Sequence, residues 1–197
     1  MNTKILLEHL YIVFFSVVLS ILAGLPLGVA AYLWKPARKP ILRLSELLQT
    51  IPALALLGMV MLVLGAGKTT VITGLLLYSL LPIVHNTYIG LEAIDPGVKR
   101  AARGMGMSRW DRLMTVELPL SFPMIFAGIR IAAVTSVGIA VFAASVGGGG
   151  LGSVINRGIR TQNIQLILSG TLTLMAMALV LDGLMAWLEH SLKSGRR

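Results

Sequence analysis

No cysteine occurs in these 197 residues, which excludes a disulfide framework and any thiolate metal site. Charge is scarce as well. Asp, Glu, Lys and Arg make up 13% of the chain, and only 8 residues are acidic. A soluble fold of this size must wet its surface, and 56% hydrophobic residues with a mean hydropathy of +0.84 leave too little polar material for that. The histidines His9, His85 and His190 fall in separate segments without metal-ligand spacing. His9 and His190 are expected at a membrane interface. No Ser/His/Asp set and no carboxylate pair points to catalysis, so no catalytic residue and no metal site is assigned. Long linkers and low-complexity tracts are missing too, and a single domain over 1–197 follows.

What the chain does contain is long apolar runs. A helix that crosses a bilayer needs about 20 mainly apolar residues. Five stretches qualify, at about 11–33, 46–66, 70–91, 120–145 and 165–187. They are too long, and too poor in period-two alternation, for barrel strands. Trp34-Lys35-Pro36 follows the first run where a cleaved leader would have small residues, so that run is expected to be retained. The fold class is all-α integral membrane, with about five transmembrane helices.

The net charge of +9 is distributed as in a membrane protein, which speaks against a nucleic-acid partner. Lys and Arg collect in short cytoplasmic loops. With the N-terminus outside, three segments face inward. They hold Lys35, Arg38, Lys39 and Arg43; then Lys99, Arg100, Arg103, Arg109 and Arg112; then Lys193, Arg196 and Arg197. The outer segments hold only Lys4, Lys68, Arg157 and Arg160. The orientation is therefore N-terminus outside and C-terminus cytoplasmic, in a multi-pass protein bathed in lipid.

The inner loop at 92–119 carries the most information. Asp95 is an N-cap and Pro96 suits the first helical position. The helix runs to about Arg103, where Gly104 can close it in a left-handed conformation. Ser108, with Asp111 three residues on, caps a second helix. Trp110, Leu113, Met114 and Glu117 share one side of it, and Pro119 ends the pattern. On physics alone, a helix pair lying on lipid headgroups remains an alternative.

The loop also resembles a family. Permeases of binding-protein-dependent ABC importers carry the pattern E-A-A-x-x-x-G-x9-I-x-L-P. Here Arg100-Ala101-Ala102 is followed after three residues by Gly106, and after nine more by Val116, one residue, and Leu118-Pro119. The resemblance implies a type I ABC importer permease fold whose cytoplasmic coupling-helix loop docks on an ATPase subunit. It assigns that role to Arg100, Ala101, Ala102, Gly104, Gly106, Leu118 and Pro119. Arg100 stands where the family has Glu, which reverses one charge at the docking surface.

Gln49-Thr50-Ile51-Pro52-Ala53-Leu54-Ala55-Leu56-Leu57, Leu81-Pro82-Ile83-Val84-His85-Asn86-Thr87-Tyr88, Asp95-Pro96, Ala101 to Met107 and Ala127-Gly128-Ile129-Arg130 are similar to the subgroup that imports glycine betaine, carnitine and choline. His85 stands where Arg is usual there. The resemblance implies a permease of a bacterial cell membrane (inner or plasma) that works with a cytoplasmic ATPase subunit, a second permease subunit, identical or homologous, and an extracytoplasmic substrate-binding protein. No cofactor is bound by this chain; ATP and Mg belong to the partner ATPase. With only 3 Trp and 4 Tyr, none clustered in a span, selectivity is expected to reside in the binding protein. The alternatives are an ABC permease for another small solute such as an amino acid, and an ion-coupled secondary transporter.

Three further features complete the reading. Gly65-Ala66-Gly67-Lys68-Thr69-Thr70 mimics the end of a phosphate-binding loop, but Leu62 occupies the position that needs glycine. Gly147-Gly148-Gly149-Gly150 reads as a turn after the fourth span. Arg130 and Asp182 lie inside predicted spans, where ionisable groups are costly, and a contact between them is expected.

Overall fold

The computed structural model describes residues 3–194. Nine α-helices make up the described chain, and no strand occurs among these residues. They are α1 (Thr3–Leu33), α2 (Lys35–Thr50), α3 (Ala53–Leu64), α4 (Lys68–Glu92), α5 (Pro96–Gly104), α6 (Arg109–Arg112), α7 (Leu118–Ile139), α8 (Leu151–Arg160) and α9 (Ile164–Ser194). A π-helical turn, Leu113–Glu117, joins α6 to α7, and a 3-10 segment, Ala140–Val146, extends α7. Four helices are long and apolar enough to cross a membrane. Arg196 and Arg197, counted above among the inward cations, lie outside the described residues.

The helix α4 stands at the centre, packed against α1, α2, α3 and α7. Close approach is bought with glycine. A Cβ on Gly28 of α1 would lie 2.5 Å from Thr87 Cβ, and one on Gly128 of α7 would lie 2.7 Å from Asn86 Cβ. Larger residues at either place would force the helices apart. Serine hydroxyls inside the bundle close on carbonyls one turn back, as Ser16 does on Ile12 at 2.6 Å, or meet each other, as Ser79 and Ser136 do at 3.0 Å. Each hydroxyl is thus satisfied where no water can reach it.

One expected span and one expected loop helix take a different form. The stretch 46–66 is not one helix: α2 ends at Thr50, α3 begins at Ala53, and their axes meet at 103°. Pro52 has no N–H to continue the ladder and its ring pushes Ile51 into an extended conformation, φ −74° and ψ 126°. The second helix of the loop at 92–119 does not stop at Pro119. It passes through the π turn straight into α7, where Pro119 sits in the first turn. Pro119 cannot donate to the Thr115 carbonyl and crowds it, and the widened turn just before takes up that mismatch.

Candidate functional site

One end of the bundle carries the loop at 92–119. Asp95 accepts a hydrogen bond from Gly97 N–H, and Pro96 opens α5. The helix closes on a Schellman pair: Gly106 N–H donates to Arg103 O at 2.9 Å and Met107 N–H to Ala102 O at 3.2 Å. The left-handed residue is therefore Gly106, at φ +81°, and not Gly104, which remains the last residue of α5. Ser108 accepts from Asp111 N–H at 3.1 Å and starts α6.

Four contacts fix this hairpin to the bundle. The Lys99 ammonium donates to Leu91 O at 2.8 Å and lies 5.1 Å from the Tyr32 ring centre. The Arg109 guanidinium donates to Leu33 O at the end of α1. Leu113 is fully buried against Leu91 and Ile94. Arg112 Nε donates to Glu117 Oε1 at 2.7 Å, with Glu117 1% exposed and Arg112 9%. Neither residue of this last pair stands out in the sequence.

The tip points away from the bundle. Arg100, Ala101, Arg103, Gly104 and Gly106 are exposed, as are Met105 (72%) and Trp110 (59%). Ala102 turns inward at 2%. Leu118 and Pro119 stand apart, half-buried in the first turn of α7. A cationic surface with exposed Met and Trp is chemically suited to an acidic, partly apolar groove on a partner.

Farther along α7, Arg130 meets Asp182 of α9 through two parallel bonds, Nε to Oδ1 at 2.6 Å and Nη2 to Oδ2 at 2.7 Å. Glu189 approaches the same guanidinium to 3.9 Å. On another face, Glu46 of α2 lies 3.2 Å from His85 of α4, and Gln49 donates to Tyr78 O at 2.9 Å.

At the opposite end, α1 is clamped to the glycine-rich turn. Glu8 accepts from Gly150 N–H at 3.1 Å and pairs with Lys68 at 2.6 Å. His9, expected at a membrane interface, is wholly buried within the bundle. Its Nδ1 accepts from Leu151 N–H at 3.3 Å, so its Nε2 carries the proton and donates to Val137 O at 3.1 Å.

A family model described as the binding-protein-dependent transport system inner membrane component matches residues 16–194. The osmoprotectant import permease protein OsmW of Salmonella typhimurium is 41% identical over 191 residues, covering 94% of this chain and 87% of that protein. The glycine betaine/carnitine/choline transport system permease protein OpuCD of Bacillus subtilis is 40% identical over 186 residues, covering 94% and 81%. Among solved structures, an inward-facing MetNI methionine ABC transporter superposes with a TM-score of 0.84 at 22% identity, covering 94% of this chain and 93% of that one. An amino acid ABC transporter with histidines gives 0.81 at 18%, covering 96% and 92%.

Proposed function

This chain belongs to the inner membrane components of binding-protein-dependent transport systems, and from that premise we propose that it passes a small quaternary-ammonium osmolyte, such as glycine betaine, choline or carnitine, into the cytoplasm. Relatives named for those solutes support the cargo class. The methionine and amino-acid transporters are more distant and speak to the fold alone.

The observation that carries the mechanism is the anchored hairpin of α5 and α6. Its exposed tip, with Arg100, Ala101 and Gly106, is the surface for a cytoplasmic ATPase that holds ATP and Mg. Its base is tied to α4 by Lys99 and to α1 by Arg109, and Arg112 ties α6 to the turn that leads into α7. Force applied at Met105 and Trp110 therefore reaches two spans through short, saturated contacts. Two permease subunits line one pathway and an external binding protein delivers cargo. ATP binding draws the hairpins together and the spans rock between outward-facing and inward-facing states. The N-terminus lies outside and the hairpin inside.

Reconstitution tests this reading. Uptake of radiolabelled choline or glycine betaine by the co-purified complex is expected to require ATP and to survive an ionophore. A hairpin labelled from the exterior, or uptake that collapses with the ion gradient, overturns it.

A further inference from the structure

The fold brings together two aromatic rings that are 64 positions apart in the chain. Tyr78 of α4 and Phe142 beyond α7 line one groove of about 670 Å³ together with Glu46, Gln49, His85 and Thr135. That volume falls in the range of small-molecule sites, about 300–1,000 Å³. The groove lies along the middle of α4 and the outer half of α7.

Three properties set its ligand chemistry. The chain has 17 Lys and Arg, yet none lines this groove; its one acid is Glu46. It lies at the C-terminal end of α2, where the chain breaks at Ile51-Pro52 and α3 leaves at 103°. The last carbonyls of a helix carry its negative pole. Finally, two aromatic residues line it. A quaternary ammonium has no N–H to donate, so hydrogen bonds cannot hold it. It is held by diffuse negative potential, and aromatic faces and a carboxylate supply that.

We propose that this groove is a transit site for the quaternary-ammonium head of the cargo, held by Tyr78, Phe142 and Glu46. The proposal rests on the permease reading above and names residues for it. Glu46 already meets His85 at 3.2 Å, so cargo and imidazole share one carboxylate. An anion finds no cationic partner here. A lipid tail is disfavoured by Glu46, Gln49, His85 and Thr135 on the wall. Selectivity then has a second seat inside the membrane, where the scattered aromatics of the sequence gave no sign of one.

The test uses the full complex of permease, ATPase and binding protein in proteoliposomes, and reads uptake of radiolabelled choline and glycine betaine per ATP hydrolysed. Tyr78→Leu is expected to lower that ratio about tenfold, and Tyr78→Phe, which keeps the ring face, to restore it. Glu46→Gln is expected to impair choline, a net cation, more than zwitterionic glycine betaine. Phe15→Leu, which alters an exposed ring on α1, is expected to change nothing. Tyr78→Phe as impaired as Tyr78→Leu, equal losses of both cargoes with Glu46→Gln, or variants that lose the second permease subunit overturn the site in favour of a packing role. Unimpaired uptake by every variant overturns it while leaving the permease reading intact. No uptake by the unmodified complex overturns the permease reading, and the site with it.

Discussion

Glu117→Ala isolates the link between the hairpin and the spans. The substitution removes the carboxylate that Arg112 Nε reaches at 2.7 Å and leaves a guanidinium that is 9% exposed without its partner. Orphaning one member of a buried pair costs about 3–5 kcal/mol. At about 1.4 kcal/mol per factor of ten, the released state rises by on the order of 10²- to 10³-fold. The loss falls mainly on the hairpin, because Arg112 sits between α6 and the π turn; α1 loses only the contact of Tyr32 with Glu117, while α4 and α7 keep their own contacts.

The assay is hydrogen–deuterium exchange on the purified protein, comparing amides of 96–116 with those of α4. Exchange at 96–116 should accelerate by about the same factor, 10² or more, while α4 stays protected, and the ATPase should be lost on purification. The double variant Arg112→Met with Glu117→Leu supplies the control. An apolar pair of similar volume is often as stable as the buried ion pair it replaces, so protection should return. Unchanged exchange in Glu117→Ala, or a double variant as loose as the single, would refute the anchoring argument.

Three further predictions concern other sites. Reversing Arg130 or Asp182 alone should stop transport, and the Arg130→Asp/Asp182→Arg swap should restore it only partly, since the new aspartate faces Glu189, which lies 3.9 Å from the present guanidinium; adding Glu189→Gln should raise uptake further, and a swap as dead as the single reversals sinks the pairing. At Gly106, φ is +81° and a Cβ would meet nothing within 4 Å, so the cost of Gly106→Ala is backbone strain of about 1–2 kcal/mol; thermal unfolding should show Ala and Leu equally destabilised, Asn less so, and only Leu should lose the ATPase on purification. His9→Leu orphans the Val137 carbonyl and the Leu151 N–H, each at a cost of about 1–3 kcal/mol, and should lower the melting temperature of the detergent-solubilised protein; an unchanged transition contradicts the clamp.

The long spans were legible because a bilayer leaves few options: a run of 20 apolar residues must become a helix. The turn chemistry at Asp95, Pro96 and Ser108 was legible for a similar reason, since local capping bonds need only local sequence. The break at Pro52 was visible as a proline, but its 103° amplitude depends on how α3 packs on α4. The helix α8 went unseen because a short amphipathic segment with Arg157 and Arg160 has no apolar run to find. Gly104 reads as the left-handed closing residue because it comes first, whereas α5 holds one residue longer and Gly106 takes that conformation.

The polar contacts divide by the same logic. Arg130 and Asp182 stood out as ionisable groups inside apolar runs, and the fold brings them together. Glu189 lies seven residues beyond Asp182, two turns along the same face, so the signal for the third member was present and was passed over. Arg112 and Glu117 were hidden by a different cause. Five residues apart, they point to different sides of an ordinary α-helix, where partners lie three or four apart. Only the π turn at Leu113–Glu117 swings Glu117 back over Arg112, and that turn is itself a response to Pro119. One proline thus sets the geometry that joins hairpin to span, and a reading that treated Pro119 as the end of a helix could not have found the ion pair it makes possible.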